Sequence, residues 1–360
     1  MPEKIAAEAG PTISHKSRPK RASRDRLLID LALQGGGSHG AFTWGVLDRL
    51  LEEPWLTVEG ISGTSAGAMN AAVFAHGMMA GGHEGARAAL ETFWRRVSIA
   101  AAFSPFQRSP VDRMLGRWSL DYSPMYVAAD LMARLVSPYT LGGIGPNPLR
   151  DILDETIEFG RLASSPIKLF ITATNVRTGR GRVFRNAEIT ADVLLASACL
   201  PTMFQAVYID GEPYWDGGYS GNPTISPLVR ECRSHDTFIV QINPVLRPEA
   251  PVTAAEIHNR INEVSFNATL LKELKMIALL RQVADANDGE GWLWAQMRIH
   301  MIKSDMMMTL GASSKLNAEW EFLTMLRDEG RRAASEFGER HMDDVGARST
   351  FPLEGLLEGI

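Results

Sequence analysis

The stretch LLIDLALQGGGSHGAFTWGVLDRLLEEPWLTVEGISGTSAGA, residues 27–68, decides the fold class of this chain. A mostly apolar run over residues 26–34, ended by three glycines, is typical of a buried strand. The apolar positions of residues 41–53 fall on one face of a helix, which Pro54 ends. Residues 58–61 predict a second strand. Because strand and helix alternate, we expect a parallel sheet with helices on its faces.

The remainder of the chain continues this architecture with one interruption. Residues 98–147 contain five prolines among aromatic and apolar side chains, so they predict an insertion of short helices and loops. Further strands are predicted over residues 167–174, 182–185, 238–242 and 298–302. Further helices are predicted over residues 66–80, 83–97, 253–286 and 318–337.

Composition and charge exclude several classes of protein. Hydrophobic residues make up 45% and charged residues 22% of the 360 residues, which is ordinary for a globular protein. Two cysteines, Cys199 and Cys232, are too few for a disulfide framework or a four-cysteine metal site, and they favour a reducing, cytoplasmic compartment. A net charge of −5 gives no overall basic character of the kind that binds nucleic acid.

Residues 1–26 differ from the rest in carrying seven basic and three acidic side chains. They contain no apolar run long enough for a signal peptide, so we expect a flexible basic tail. Two interpretations stay open, a solvated extension without a function or an electrostatic contact with an anionic membrane. Residues 60–82 lack charged side chains, but their apolar content is mainly Gly and Ala, which predicts a buried helix and no transmembrane helix.

A glycine-rich motif, Gly35-Gly36-Gly37-Ser38-His39-Gly40, lies between the first strand and the first helix. The pattern G-x-G-x-x-G occurs in dinucleotide-binding loops, where a pyrophosphate lies over the helix N-terminus. That function also requires an acidic residue at the end of the second strand, and Glu59 precedes that end. The loop could instead direct backbone N–H groups toward an oxyanion, or be a structural turn.

A second motif, Gly63-Thr64-Ser65-Ala66-Gly67, follows the second strand and precedes a helix rich in Gly and Ala. This is the strand–turn–helix context of a nucleophile elbow, in which a strained serine backbone needs small neighbours. The context indicates that Ser65 is a nucleophile.

A third motif, Trp215-Asp216-Gly217-Gly218, places a carboxylate at the end of a short strand beside flexible backbone. Taken alone, it is more typical of an ordinary Asp-Gly turn. The three motifs together, in this order, are much more specific than any one of them alone.

The three motifs, in this order, resemble those of the patatin-like phospholipases, serine acyl hydrolases with the pattern G-G-G-x-[KR]-G, G-x-S-x-G and D-G-[GA]. The resemblance implies a three-layer α/β/α fold and a lipid acyl hydrolase that cleaves carboxylic esters without a metal or a cofactor. It implies Ser65 as the nucleophile, Asp216 as the proton acceptor and residues 35–37 as the oxyanion hole. His39 departs from the pattern, because the family usually has Lys or Arg there.

The resemblance also implies how the chain is divided. We expect a catalytic domain over residues 27–245 and a mainly helical extension over residues 251–348 packed on it. Asn262-Glu263-Val264-Ser265-Phe266-Asn267 and Gly311-Ala312-Ser313-Ser314-Lys315-Leu316-Asn317 resemble the extension of a bacterial subgroup, to which we assign no chemistry. Residues 98–147 are either core and turns or the lid and wall of an apolar acyl pocket, in which case Phe103, Phe106 and Tyr126 line it.

Other functions stay open. An α/β-hydrolase would use a Ser–His–Asp triad with His235, His258 or His300 as the base, although none of these follows a strand in a glycine-rich loop. A nucleotide-binding protein would use the glycine motif, and a non-enzymatic scaffold would use none of the motifs. The eight histidines form no H-x-x-x-H pair or His/Cys cluster, so no metal site is expected.

Overall fold

The computed structural model describes residues 25–140, 147–284 and 289–358. Residues 1–24 of the predicted tail, residues 141–146 of the insertion and residues 285–286 of the helix predicted over residues 253–286 lie outside the described residues. Within them, eight strands form one sheet: β1 (Leu27–Leu33), β2 (Leu56–Gly63), β3 (Lys168–Asn175), β4 (Gly181–Arg185), β5 (Val207–Ile209), β6 (Glu212–Asp216), β7 (Asp236–Val240) and β8 (Arg298–Ile302). The α-helices of these ranges are α1 (Gly40–Leu50), α2 (Ala66–Ala102), α3 (Pro110–Met114), α4 (Pro124–Leu135), α5 (Pro148–Thr156), α6 (Phe159–Leu162), α7 (Ala191–Ser197), α8 (Ser226–Glu231), α9 (Ala254–Val283), α10 (Gly289–Ala295) and α11 (Trp320–His341).

The sheet is mostly parallel. Its strand order is β5-β6-β3-β2-β1-β7-β8, and β4 also pairs with β3. Strands β3, β2, β1, β7 and β8 are parallel to one another, whereas β4 and β6 pair antiparallel with β3 and β5 pairs antiparallel with β6. Helices cover both faces, so the predicted three-layer α/β/α fold with a helical C-terminal region is confirmed.

The two central strands bring the glycine loop and the serine motif together. Strands β1 and β2 are in a register that pairs Leu33 with Gly63, the last residue of each. Parallel strands end at the same edge of a sheet, so the segments that follow β1 and β2 meet there. We call this the carboxyl edge, and the opposite side, where β7 and β8 begin, the amino edge. Strand β2 is longer than the predicted residues 58–61 because residues 56–57 and 62–63 also pair with β1.

The main core lies between the sheet and helices α1, α2 and α11. Its most buried large side chains come from both ends of the chain and include Leu31, Phe42, Phe74, Phe93 and Phe322. Burial of each contributes about 1.5–3 kcal/mol to stability. Because α11 packs on α1 and β8 extends the sheet, the chain after residue 251 shares this core. The boundaries of the two expected domains stay a prediction.

Helix α2 contains both of the helices predicted after Ser65. Gly81 and Gly82 have non-helical backbone angles, so the element is kinked there. The first part is packed through small side chains, and Ala68 and Ala72 are fully buried. The buried helix predicted for this charge-free stretch is therefore confirmed. No helix in the described ranges is long and apolar enough to cross a membrane.

The first residues of the insertion belong to the end of α2. Residues 103–140, which follow, form α3, α4 and the connecting loops. Phe103 is 89% exposed and Met114 is 81% exposed. The other exposed large apolar side chains are Val111, Leu115, Tyr122, Met125, Val127, Leu131, Met132, Leu135 and Tyr139. The interpretation of this segment as core and turns is therefore wrong for most of its apolar side chains.

Candidate active site

Ser65 lies in the turn between β2 and α2, where the sequence predicts a nucleophile elbow. Its backbone angles are φ 53° and ψ −123°, in a region that residues other than glycine rarely adopt. Such strain persists where the surrounding structure enforces it, and it is common at active sites. The residue is half-buried at the carboxyl edge of the sheet.

Hydrogen bonds from neighbouring elements hold the elbow in this conformation. The Ser65 N–H donates to Ser197 Oγ at 2.9 Å, and that hydroxyl donates to the Thr172 carbonyl at 2.7 Å. The Thr64 hydroxyl donates to the Gly221 carbonyl at 2.7 Å. The elbow is therefore tied to β3, to α7 and to the loop after β6.

Asp216 ends β6 beside the Ser65 side chain. Its Oδ1 accepts a hydrogen bond from the Gly218 N–H at 2.7 Å, and the Ser65 side chain is close enough to lower the pKa of the carboxyl group. The residue is 3% exposed. Burial raises the pKa of Asp216 to about 7, against the opposing effects of Gly218, Ser65 and Lys315. The carboxyl group therefore titrates near neutral pH, where a general base is most effective.

The glycine loop lies against the elbow at the same edge. A Cβ atom at Gly35 would lie 2.6 Å from the Ser65 Cβ, so glycine is needed for this approach. The Gly35 N–H donates to Asn222 Oδ1 at 2.7 Å. In the part of the chain that the structure describes, the N–H groups of Gly36 and Gly37 donate to no protein group. Gly37 is exposed and has a φ of 58°. These two N–H groups are therefore available to an oxyanion.

The other residues of the three motifs make the close packing of the site possible. A Cβ atom at Gly40 would lie 2.7 Å from the Ala66 Cβ, and one at Gly63 would lie 2.6 Å from the Gly67 carbonyl oxygen. The motif residues that are buried are Ser38, His39, Gly40, Gly63, Thr64, Ala66, Gly67, Gly217 and Gly218.

His39 is neutral in this environment. Its Nε2 lies 2.8 Å from Ser314 Oγ. Because the Ser314 hydroxyl donates to the Gly311 carbonyl, it accepts from His39 and thereby assigns the ring proton to Nε2. The buried Nδ1 has no hydrogen-bond partner among the residues that the structure describes. Burial lowers the pKa of His39 well below its usual value, and nearby cations add to this effect. The glycine loop therefore carries no charged side chain.

Sequence reasoning missed the polar side chains that hold the glycine loop. Gln34 Oε1 accepts hydrogen bonds from the Ile242 and Asn243 N–H groups, both at 2.9 Å. Asn243 Nδ2 donates to the Gly35 carbonyl at 2.7 Å. Gln34 Nε2 donates to Asn267 Oδ1 at 3.0 Å. Of these side chains, only Asn267 belongs to a motif noted in the sequence, the N-E-V-S-F-N stretch that it ends.

The histidines considered for a triad lie away from the elbow. His300 Nε2 is 2.9 Å from Asp236 Oδ1 at the amino edge. His235 precedes β7, and His258 is exposed on α9. Over the described ranges, no hydrogen bond joins any of the three to Ser65. The geometry therefore does not favour the Ser–His–Asp triad.

The carboxylate of Glu59, a residue considered for nucleotide binding, is hydrogen-bonded to other groups of the protein. Its carboxylate accepts hydrogen bonds from the Arg233 and Ser234 N–H groups at 2.9 and 3.0 Å, and it pairs with Lys168 at 3.1 Å. This arrangement does not favour a dinucleotide site. Among the residues that the structure describes, no group of three or more His, Cys, Asp or Glu side chains is placed to hold a metal ion.

The residues considered for an acyl pocket do not line a common apolar cavity. Phe106 lines a pocket of about 440 Å³ together with Arg108, Arg113 and Glu319, whereas Phe103 is exposed. A lining with four charged side chains, Glu321 being the fourth, does not suit a fatty acyl chain. Tyr126, the third candidate, is partly buried on α4.

The chain is similar to two solved structures. The crystal structure of VipD from Legionella pneumophila matches over 86% of this chain and 68% of that one, at 16% identity and a TM-score of 0.34. The heterodimeric complex ExoU–SpcU from the type III secretion system of Pseudomonas aeruginosa matches over 92% of this chain and 65% of that one, at 17% identity and a TM-score of 0.31. The chain thus spans about two thirds of the length of each.

The sequence comparison with protein families is more specific. No curated protein matches the chain. The sequence model of the family described as patatin-like phospholipase matches residues 31–229, more than half of the chain, and this range includes the glycine loop, Ser65 and Asp216. The chain therefore belongs to the patatin-like phospholipase family, and with it to the lipid hydrolases.

Proposed function

We propose that this protein hydrolyses carboxylic ester bonds of lipids, phospholipids among them, through a Ser65–Asp216 dyad and an acyl-enzyme intermediate. The observation that carries the proposal is that the Ser65 side chain is close enough to the buried Asp216 carboxylate to lower the pKa of that carboxyl group. It lies beside a loop with two N–H groups that donate to no described protein group. A serine hydroxyl becomes nucleophilic when an adjacent base accepts its proton. Family membership supports a lipid as the class of substrate.

The first half-reaction forms the acyl-enzyme. Ser65 Oγ attacks the ester carbonyl carbon while the Asp216 carboxylate accepts the hydroxyl proton. The carbonyl electron pair moves to the oxygen, and the N–H groups of Gly36 and Gly37 donate to this oxyanion. Each such donor is worth a factor of about 10² to 10³ in rate. When the carbonyl re-forms, the alcohol leaves and takes the proton from Asp216.

The second half-reaction releases the acyl chain. The ionised Asp216 accepts a proton from a water molecule that attacks the acyl-enzyme carbonyl, and the same N–H groups stabilise the second oxyanion. Its collapse breaks the bond to Ser65 Oγ, which recovers a proton from Asp216, and a fatty acid leaves. Because the carboxyl group must be ionised at the start of both steps, turnover should rise with pH through about 7.

The insertion is part of the same proposal, as a lid or a surface for acyl chains. Exposed apolar side chains in such number are typical of a surface that binds a lipid or another partner. The insertion is fastened near the site, because the Leu120 N–H donates to Ser313 Oγ at 3.0 Å. The adjacent Ser314 contacts His39 of the glycine loop. In this proposal, a long acyl chain bound at the site extends to apolar side chains of the insertion.

A panel of lipid esters, incubated with wild type and Ser65→Ala, tests the proposal. The substitution removes the nucleophile, so it should abolish fatty-acid release from every ester that the wild type cleaves. Ser164→Ala is the matched control and should keep full activity, because the exposed Ser164 hydroxyl donates to the Arg161 carbonyl of its own turn. A folded Ser65→Ala protein that retains more than about a tenth of the wild-type rate would exclude Ser65 as the nucleophile.

A further inference from the structure

A segment from the far end of the chain lies against the glycine loop. It comprises residues 311–317, and we call it the bridging segment. The Lys315 carbonyl oxygen lies so close to Gly37 that a side chain there would collide with it. The hydroxyl of Ser314 accepts the hydrogen bond from His39. The mechanism above uses no residue of this segment.

The bridging segment is also bonded to the insertion. Ser313 Oγ accepts from the Leu120 N–H at 3.0 Å and donates to Asp121 Oδ1 at 2.7 Å. Asn317 Nδ2 donates to the Trp118 carbonyl at 3.0 Å. The segment therefore joins the glycine loop to the insertion and fixes one relative to the other.

Lys315 brings a positive charge to the glycine loop. Its Nζ donates to Asn243 Oδ1 at 2.8 Å, which requires Asn243 Nδ2 to face the Gly35 carbonyl, where it donates at 2.7 Å. The Gly35 carbonyl and the Gly36 N–H belong to one planar peptide and point in opposite directions. Two hydrogen bonds thus run from the ammonium group to the peptide whose N–H is available to an oxyanion. Such a chain polarises the peptide as well as orienting it.

The charge of Lys315 also acts on Asp216. The charged groups that face Lys315 are Glu263 on α9, Arg247 after β7 and Asp216 at the end of β6. Glu263 is already paired with Arg247 at 2.5 Å and with Arg260 at 3.1 Å. No salt bridge pairs Asp216 with a cation in the described part of the chain, so Lys315 is the cation that favours its ionised form.

The other titratable groups near Lys315 and Asp216 are neutral at pH 7. Burial raises the pKa of Cys199 to about 12 and raises that of Tyr219 above its usual value, and His39 is uncharged. Burial lowers the pKa of Lys315 itself to about 8. Its charge is therefore present at neutral pH and lost in the alkaline range.

We propose that Lys315 is a positioning residue of the active site, which orients the oxyanion-binding peptide through Asn243 and favours the ionised form of Asp216. The inference rests on the proposed function, since both groups belong to the dyad mechanism. Lys315 acts through these groups and does not touch the substrate. The segment after residue 251 is accordingly part of the catalytic machinery as well as of the core.

The pH dependence of turnover in Lys315→Met and Lys315→Arg tests this role, with a soluble uncharged short-chain ester between about pH 5 and about pH 10. In Lys315→Met, kcat at neutral pH should fall by about tenfold or more, and the rising limb should move up by about one pH unit, because the cation is gone. KM should stay near the wild-type value. In Lys315→Arg the rising limb should stay in place, and the alkaline fall near pH 8 should move higher, because a guanidinium remains charged.

The control is Lys303→Met, which removes the same charge from an exposed residue and should give the wild-type profile. A Lys315→Met profile that coincides with the wild type would overturn the role, as would a change confined to KM, which would make Lys315 a substrate-binding residue. If Lys315→Met does not fold, Lys315→Arg decides, and an alkaline limb that stays near pH 8 overturns the role. If Ser65→Ala is active, the dyad itself is refuted. If Ser65→Ala is inactive but the pH profiles of the Lys315 variants match the wild type, only the inference about Lys315 is refuted.

Discussion

Asp216 and Asp236 are both buried, but they lie toward opposite edges of the sheet and have different partners. Asp236 begins β7 at the amino edge. It accepts two hydrogen bonds from Arg298, at 3.0 and 2.6 Å, and contacts His300 at 2.9 Å. Asp216 ends β6 and accepts a hydrogen bond from the Gly218 N–H, with the Ser65 side chain nearby.

These partners decide the direction of each pKa. At Asp216 burial dominates and raises the pKa to about 7. At Asp236 burial also raises the pKa, but hydrogen bonds from His300 and Arg298 more than offset it and hold the pKa well below its usual range. A buried carboxylate that is paired with cations stabilises the fold, whereas a buried carboxylate with few such partners accepts a proton readily. Substitutions at the carboxyl edge should therefore change turnover, and substitutions at the amino edge should change stability.

Asp216→Asn should have the largest effect on turnover. The amide keeps the shape of the side chain but cannot accept the serine proton, so kcat should fall by at least about 10³-fold. Steady-state assays on a soluble ester measure this loss. An Asp216→Asn protein that keeps its turnover would break the comparison, because it would make Asp216 an ordinary turn residue.

The same variant should not lose stability. The pKa of Asp216 is higher in the folded state than in the unfolded state, so between about pH 4 and pH 7 the folded state binds more protons than the unfolded state. The contribution of Asp216 to the stability of the wild type therefore decreases as the pH rises through that range. Urea unfolding at about pH 8 should give Asp216→Asn a free energy of unfolding equal to or above that of the wild type. A clear loss of stability would place Asp216 in the same class as Asp236.

Asp236→Asn should behave in the opposite way. It leaves the Arg298 charge uncompensated, so the free energy of unfolding should fall by about 3 kcal/mol. The folded pKa of Asp236 is below its unfolded value, so its contribution is fully present above about pH 4 and is lost as the pH falls further. Urea unfolding of wild type and variant at neutral and acidic pH measures both effects.

Turnover per folded molecule should be unchanged in Asp236→Asn. It should also be unchanged in His300→Ala, which alters the same cluster. Loss of kcat in a folded His300→Ala protein would instead favour the Ser–His–Asp triad.

The centre of the site could be predicted because its chemistry is local. A strand followed by glycines, and a second strand followed by G-x-S-x-G, form a parallel pair whose ends meet at one edge. The roles of Asn243 and Lys315 could not be predicted in this way. They contact the glycine loop from more than 200 residues away in the chain, and no spacing rule shows which distant loops meet.

Helix α9 shows a second limit of sequence reasoning. Its spacing correctly predicted a helix, but Ile257, Ile261 and Val264 are 44%, 56% and 53% exposed. The helix packs on the core through other residues, among them Leu270 and Leu274. Apolar side chains occur on more than one face of this helix, so their spacing predicts the helix without showing which face is buried.

The insertion should affect the binding of long acyl chains. Phe103→Ser should lower kcat/KM for a long-chain ester by about tenfold, because burial of a large apolar side chain against an acyl chain is worth about 1.5–3 kcal/mol. Turnover of a short-chain ester should not change. Val283→Ser, at the exposed C-terminal end of α9, is the control and should leave both esters unaffected. Equal losses on the two chain lengths would mean that Phe103 does not contact the acyl chain.

The smallest effect on turnover is expected from the basic tail. Removal of residues 1–24 should weaken binding to anionic vesicles several-fold and reduce its salt dependence, since these residues carry six basic and two acidic side chains. Turnover of a soluble ester should be unchanged. Cosedimentation with vesicles at low and high salt measures the difference. Identical binding with and without the tail would leave it as a solvated extension.

Activation of Ser65 by Asp216 is tested most directly by fluorophosphonate labelling with peptide mapping by mass spectrometry. The reagent bonds covalently to an activated serine. We predict a single adduct, on Ser65, that forms at similar rates in wild type, Asp236→Asn and His300→Ala. In Asp216→Asn its formation should be slower by at least about 10²-fold. An adduct on another serine, or labelling of Ser65 that Asp216→Asn leaves unchanged, would contradict the dyad.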